Sequence, residues 1–483
     1  MALVIDGLEP KSVWQHFYEI SQIPRGSGNE AAVGKYIISI AEKNNLDYHK
    51  DNLGNIIVRK PATAGKEGHK GVVLQGHTDM VCEKNNDIMH DFTKDPIKLI
   101  QDGDWLTADG TTLGADNGIG VCYALAVMEG QSIVHPPLEF LFTVDEETGL
   151  TGASGLSSDF VKGKILINLD SEEEGAFYIG CAGGQNTILR QKYDWQQFPS
   201  GFRAFKIRVG GLRGGHSGLN IHEGFGNSIK LLSRFLYNLS GNTSFHLAKI
   251  TGGSKHNAIP REAEALVAIK PDAVEVLQHS VIHFDRIFKN ELQFSDKGVF
   301  CDINEIDAIK NVFPDQLQRA LLRLLVALPH GVIQMSQAVA GLVETSTNLA
   351  ILETKDNLVE ILTSQRSSVA TEIEDIAGKV RAIGELAGFD IEEGGQYAAW
   401  APNPDSELLK FAVAAYKDST GKDAEVKAIH AGLECGIIGE KYEGMDMISF
   451  GPTIEGAHSP DERVLIQSVH NCWDFLLELL KRV

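Results

Sequence analysis

His77 and Asp79 stand two residues apart at the end of the apolar run that begins Val72, Val73, Leu74. In an extended chain residues i and i+2 face the same way, so an imidazole and a carboxylate would be presented side by side. The same arrangement recurs along the chain. "LGADNGIGV" puts Asp116 at a helix start, and "LFTVDEETG" ends an apolar run with Asp145, Glu146 and Glu147. "ILINLDSEEEG" ends another run with Asp170, and "ISFGPTIEGAHSPDE" follows a third with a loop bearing His458. Singly, each is commonplace as a surface pair, a solvated turn or a helix cap. Jointly, two histidines and several carboxylates from separate segments make a zinc-type ligand set. With three or more carboxylates such a set can hold two metals, one carboxylate bridging them.

Chemistry of this kind needs elements that bring distant segments to one place. "GNIIVRK", "GVVLQG", "LEFLFTV" and "KILINLD" read as strands; "SGNEAAVGKYIISIAEKNN" and "ADNGIGVCYALAVMEG" read as helices. Their alternation predicts an α/β layer with a mainly parallel mixed sheet flanked by helices. In such a sheet, groups at the carboxyl ends of strands converge on a crevice. From about residue 190 the character changes. "FRAFKIRVGG", "FGNSIKLLSRFLYNLS", "FHLAKITGG", "EAEALVAIK" and "DAVEVLQHSVIHFDRIFKNEL" read as a β-α-β-β-α unit. The stretch from about 312 to 397 has the pattern of a second copy, and beyond 398 the α/β pattern returns. We therefore expect residues 1–187 and 398–483 to form one α/β catalytic domain, with 188–397 inserted as an α+β lid of two similar units.

Composition narrows the function classes. The chain has 483 residues, 43% hydrophobic and 23% charged, as a soluble globular protein does, and a net charge of -21. That balance argues against nucleic acid or an anionic membrane surface as partner. "MALVIDGLEP" lacks the basic and apolar regions of a signal peptide, and no run approaches a membrane span. The six cysteines are scattered, without C-x-x-C, and read as reduced thiols of a cytoplasmic protein. No G-x-S-x-G elbow, no phosphate-binding P-loop and no H-E-x-x-H helix occurs.

The motif series "GHTDMV", "LGADNGIG", "DEETGLTGA", "INLDSEE" and "EGAHSPDER" resembles that of the co-catalytic dizinc peptidases, the family of glutamate carboxypeptidases, aminoacylases, tripeptidases and carnosinases. The likeness runs through the inserted part as well, in "GLRGGHSGLNIHEG", "GSKHNAIPRE" and "TSQRSS". It implies a zinc-peptidase fold and two Zn2+ per chain, with Co2+ or Mn2+ as substitutes. His77 and Asp170 would hold one ion, Glu147 and His458 the other, and Asp116 would bridge them. Asp79 would orient His77. Glu146 would be the general base, its direction set apart from that of Glu147 by alternation at a strand end. The implied reaction is dipeptide hydrolysis, preferentially of Xaa-His, by a metal-activated water. His216 would stabilise the tetrahedral oxyanion and Asn257 would read the substrate backbone. Arg366 would clamp its free carboxylate, with His430 and Glu434 as further contacts. Another activity of the family (aminoacylase or tripeptidase) and an inactive peptide-binding relative are the alternatives. A short peptide is the expected partner, and a homodimer through the lid is the expected assembly.

Overall fold

The computed structural model describes residues 3–307 and 309–483; Met1 and Ala2, which open the stretch read for a leader, and Ala308 lie outside them. The chain divides into two units: Met1–Cys181 with Trp400–Ala428 and Leu433–Val483, and Ala182–Ala399 with Ile429–Gly432. Sequence reading put the joins at 187/188 and 397/398. They fall instead at 181/182 and 399/400, because the strand Gly183–Lys192 pairs along its whole length with Leu358–Ser367 inside the second unit.

The first unit is built on an eight-stranded mixed sheet. Its order is Asp47–Lys50, Ile56–Lys60, Leu138–Thr143, Val72–His77, Ile165–Asn168, Asp446–Ser449, Ala176–Cys181, Glu425–Ile429. The four strands from Leu138–Thr143 to Asp446–Ser449 are mutually parallel, and antiparallel pairs flank them. Val72–His77, Leu138–Thr143 and Ile165–Asn168 are buried at every residue. Burial on both faces is why these segments read as continuous apolar runs rather than alternating ones.

Helices cover the sheet. Ala115–Glu129 is buried almost all round, so its sequence carries no polar stripe. Lys60 Nζ donates to the carbonyls of Val127 and Gly130 at its carboxyl end, at 2.8 and 2.7 Å, where a cation suits the helix dipole. The closing helix Ile466–Arg482 is amphipathic and buries Val469, Cys472, Leu476, Leu479 and Leu480 on one face. Its Phe475 stacks on Phe177 at 4.9 Å and meets Phe450 edge-on at 4.7 Å. A small separate sheet pairs Arg463–Leu465 with Trp105–Ala108. It sets the loop carrying His458 beside the loop that leads to Asp116.

The second unit has a sheet whose order shows a duplication. The strands run Phe300–Ile306, Arg203–Gly210, Ala263–Ile269, Phe245–Gly252, then Val343–Lys355, Leu358–Ser367, Gly183–Lys192, Asp390–Tyr397. The second four repeat the first four in mirror order about the Gly252–Leu352 pairing. Helices Ser228–Asn242 and Val274–Glu291 belong to one copy; Asp315–Ala327 and Ala370–Leu386 belong to the other. The second copy is not the contiguous block 312–397 expected from the pattern. Its first strand, Gly183–Lys192, precedes the whole of the other copy, so one copy is nested within the other. Among the described residues, no helix is long and apolar enough to cross a membrane.

Candidate metal centre

The strand Val72–His77 ends at His77, whose ring is buried and faces acids on both sides. Nε2 lies 3.2 Å from Asp116 Oδ1 and 3.2 Å from Asp170 Oδ1. Nδ1 lies 3.3 Å from Asp79 Oδ1 and 3.2 Å from the Asp79 carbonyl. One ring nitrogen therefore points into a carboxylate cluster while the other is held from behind. Asp116 reaches the other way too: its Oδ2 lies 3.2 Å from His458 Nε2, which is 3.0 Å from Glu147 Oε2. Two groups result, His77–Asp116–Asp170 and Asp116–Glu147–His458, each with donor atoms within 4.8 Å of one another. Asp116 belongs to both.

This donor set fits a pair of divalent ions. Imidazole and carboxylate are the ligands of zinc, cobalt and manganese sites. Two carboxylate oxygens in the cluster, Glu147 Oε1 and Asp170 Oδ1, are buried and accept no hydrogen bond. Buried charge without a partner is costly unless a cation answers it.

The proton affinities follow from this crowding. Burial lowers that of the His77 ring, but the Asp170, Asp116 and Asp79 carboxylates outweigh it and hold its pKa well above the usual histidine value. His458 is raised to about 11 by its hydrogen bonds to Asp116 and Glu147. Burial pushes Asp170 up to about 6 despite the His77 ring beside it, and neighbouring Asp116 and Glu147 add to the rise. Glu146 is raised well above the glutamate range by burial, then by Asp170, Glu434 and Glu147. A glutamate and a histidine of this corner thus both bind protons more tightly than they would in water.

Glu146 and Glu147 are not on a strand end, as their sequence suggested. The strand stops at Thr143, and Glu146–Gly149 forms a single helical turn after Asp145, which has φ 53°. Asp79 caps that turn. Its Oδ1 accepts the Glu146 N–H at 3.1 Å, and its Oδ2 accepts the Glu147 N–H at 3.2 Å and the Ser27 hydroxyl at 2.8 Å. Strand alternation therefore does not set the direction of the two glutamates, which follow one another on a helical turn. Glu146 still comes within 4.8 Å of His77 and Glu147 as a potential ligand group.

"HAGLECG" is divided between the units. Glu434 opens the helix Glu434–Lys441 of the first unit and is fully buried. Its Oε2 accepts from Gln75 Nε2 at 2.5 Å and Thr143 Oγ1 at 2.7 Å, and its Oε1 has no donor. Burial raises it to about 7, and Asp170 adds to the rise.

His430, His216, Asn257 and Arg366 belong to the second unit. Arg366 is buried in the strand Leu358–Ser367, donates to the Tyr397 hydroxyl through Nη1, and leaves Nε without an acceptor. Burial first, and then the Arg366 charge, lowers His216 to about 4 and His430 to about 3. The His216 ring is therefore neutral at pH 7. Its Nδ1 accepts the N–H groups of Gly218 and Leu219 at 3.2 and 3.1 Å, which leaves the proton on Nε2. His430 Nε2 lies 2.7 Å from Ser346 Oγ. The loop of Asn257 pairs with that of His216, Ser217 N–H donating to the Asn257 carbonyl at 2.8 Å.

Two residues beside the metal centre went unread in the sequence. Arg25 and Glu462 are buried charges that hydrogen-bond backbone on either side of the Asp116 loop. Glu462 follows His458 by four residues, and its backbone partners lie 346 or more residues away, beyond the reach of any local pattern.

Comparison with known proteins gives the family and the fold. A profile of peptidase family M20/M25/M40 matches residues 73–482. The cytosol non-specific dipeptidase of Escherichia coli (strain K12) is 44% identical over 476 residues, covering 99% of this chain and 98% of that protein. The crystal structure of an aminoacylhistidine dipeptidase from Vibrio alginolyticus superposes with a TM-score of 0.93 at 42% identity, covering 100% of this chain and 98% of that one. That of aminopeptidase PepT from Bacillus cereus ATCC 10987 shares the fold, with a TM-score of 0.57 at 15% identity over 98% of each chain.

Because Asp79 both backs His77 and caps the Glu146 turn, Asp79→Ala should do two things. Divalent-metal affinity, read by chelator titration, should fall about 10- to 100-fold. The amides of Glu146 and Glu147 should exchange faster with solvent deuterium. Unchanged affinity together with unchanged exchange would deny Asp79 both roles.

Proposed function

The chain belongs to peptidase family M20/M25/M40, and on that premise we propose that it is a dipeptidase with two zinc ions, preferring Xaa-His substrates and acting in the cytoplasm. The observation that carries the reading is the pair of ligand groups sharing Asp116. The likeness over its full length to a non-specific dipeptidase and to an aminoacylhistidine dipeptidase favours dipeptides over N-acyl amino acids and tripeptides. The six free cysteines suit a reducing compartment.

His77 and Asp170 would hold one ion and Glu147 and His458 the other, with Asp116 common to both. Bound there, the ions would supply Lewis acidity to a peptide carbonyl and acidify a water molecule. The chain's own groups do the rest. Asp79 keeps the His77 ring turned toward the cluster. Glu146 takes the proton of the attacking water and returns it to the leaving amine, a role that its proton affinity, raised above the usual glutamate range by burial, suits. The His216 Nε2–H donates to the developing oxyanion, which a neutral ring with a fixed tautomer does without itself being deprotonated. Asn257 meets the substrate backbone. Arg366 pairs with the free carboxylate of the dipeptide, where a planar fork gives bidentate recognition. His430 and Glu434 complete the proposed contacts.

The test is metal analysis of the purified protein with an assay on β-alanyl-histidine, a tripeptide and an N-acyl amino acid. Two ions per chain and preferential cleavage of the dipeptide are expected; preference for either other substrate would move the chain to a different activity of its family.

Glu146→Gln should retain both ions and lose nearly all turnover, whereas Glu147→Ala should lose about one ion per chain. Metal loss from the Glu146 variant alone would exchange the two assignments. Arg366→Ala should cut kcat/KM for a dipeptide by at least about 100-fold, roughly 3 kcal/mol for a charge-assisted bidentate pair. The loss should be far smaller on the dipeptide amide, which has no carboxylate. Equal losses on acid and amide would mean that the carboxylate is read elsewhere.

A further inference from the structure

Asp116 is placed by its backbone, and two buried charges hold that backbone. The Glu462 carboxylate, 1% exposed, accepts four consecutive N–H groups. Oε2 takes those of Leu113 and Gly114 at 2.7 and 2.9 Å, and Oε1 takes those of Ala115 and Asp116 at 2.7 and 3.2 Å. Asp116 and Asn117 depart from helical geometry, with ψ of 117° and 32°, so these four N–H groups belong to the turn that carries Asp116 and find their acceptor in Glu462 rather than along the helix. On the other side stands Arg25, 3% exposed. Its Nη1 donates to the carbonyls of Thr78 and Asp79 at 3.1 and 2.9 Å, and its Nη2 donates to the carbonyl of Gly114. Gly114 is thus held from both sides, its N–H by the acid and its C=O by the base. Only glycine suits the position: φ is 72°, and a Cβ would come 2.5 Å from Arg25 Nη2 and 2.8 Å from Met80 sulfur.

We infer that Glu462 and Arg25 are a positioning pair that sets Asp116 against both histidines of the metal centre. Arg25 ties the segment just after His77 to the loop just before Asp116. Glu462 ties that loop to the segment bearing His458, four residues upstream of it. Each link joins Asp116 to one of the imidazoles that its carboxylate faces at 3.2 Å. Neither residue belongs to the ligand groups, and the pair acts through the 113–116 backbone. Because Asp116 is shared, a fault in the pair is felt by both ions together, unlike the loss of His458. Removing one member also strands the other charge in the interior.

The inference rests on the reading of Asp116 as a shared metal ligand, and the experiment separates the two. Zinc affinity is measured by competition with a chromophoric chelator on Glu462→Gln, on Arg25→Lys and on Asp116→Ala. Leu479→Ala, a core change in the closing helix, serves as a control for lost stability, with the melting temperature of each metal-free protein recorded. Glu462→Gln should bind both ions about 10- to 100-fold more weakly and recover turnover in excess zinc. Leu479→Ala should melt lower yet keep its affinity. Arg25→Lys, which keeps the charge but not the three-way geometry, should behave like Glu462→Gln and serves if that variant is insoluble. Affinity within about twofold of the parent in both variants, while Asp116→Ala loses zinc, would overturn the inference alone. An affinity loss in Leu479→Ala equal to that in Glu462→Gln would overturn it too, by making the effect one of general stability. Unaltered zinc binding in Asp116→Ala would remove the metal-centre reading and the inference with it.

Discussion

Four carboxylates, Asp116, Glu146, Glu147 and Asp170, share one corner of the first unit with two imidazoles, and much of the surrounding structure answers that concentration of negative charge. Like charges at such spacing cannot all ionise without compensation. The His77 and His458 rings respond by holding protons firmly, and Glu146 and Asp170 respond by giving theirs up reluctantly. Two acids just outside the cluster are tied to backbone N–H groups: Asp79 to those of Glu146 and Glu147, Glu462 to four in succession. The arrangement is one of anions anchored by backbone so that other anions can be presented side by side.

Beneath the cluster lies a polar layer with its own function in the fold. Gln75 and Asn168 are partners on adjacent parallel strands and stand two residues before His77 and Asp170. Asn168 Nδ2 donates to Gln75 Oε1 at 2.6 Å. Ser449 donates to Asn168 from the next strand, and Gln75 donates to Glu434. All are fully buried. Side chains bonded across three strands fix the relative height of the strands, and hence that of the two residues above them. In a buried site such a network is worth keeping only if it is nearly satisfied, and Glu434 Oε1 is the one oxygen of it left without a donor.

What sequence could reveal here follows the range of each interaction. His77, Asp116, Asp170 and His458 were legible because an apolar run that ends in an acid or an imidazole is a local pattern. The strand Arg203–Gly210 was legible in "FRAFKIRVGG", whose apolar residues alternate. The helical turn at Glu146 was not, since four residues carry no period and the turn is imposed by Asp79 from another strand end. Arg25 and Glu462 escaped for the same reason: their partners are backbone groups, and Glu462 lies 346 residues from Asp116. No property of "IPRGSG" or "SPDER" announces a distant carbonyl or N–H. The nested copy was hidden because its first strand is separated from the rest of it by the entire other copy.

That nesting determines the order in which the chain can close during synthesis. The copy spanning Arg203–Gly210 to Phe300–Ile306 is continuous and can pair with itself once those residues exist. The strand Gly183–Lys192 must wait for partners such as Gln365, which bonds Thr187 across 178 residues. The first unit closes last, when Asp446–Ser449 enters between Ile165–Asn168 and Ala176–Cys181, and such long-range pairing is slow to form. His458 and Glu462 arrive with that final stretch. A chain cut short before Asp446 therefore holds four of the five proposed ligands, His77, Asp116, Glu147 and Asp170, but lacks His458, Glu462 and the strand that enters the sheet last, so hydrolytic competence waits on that stretch.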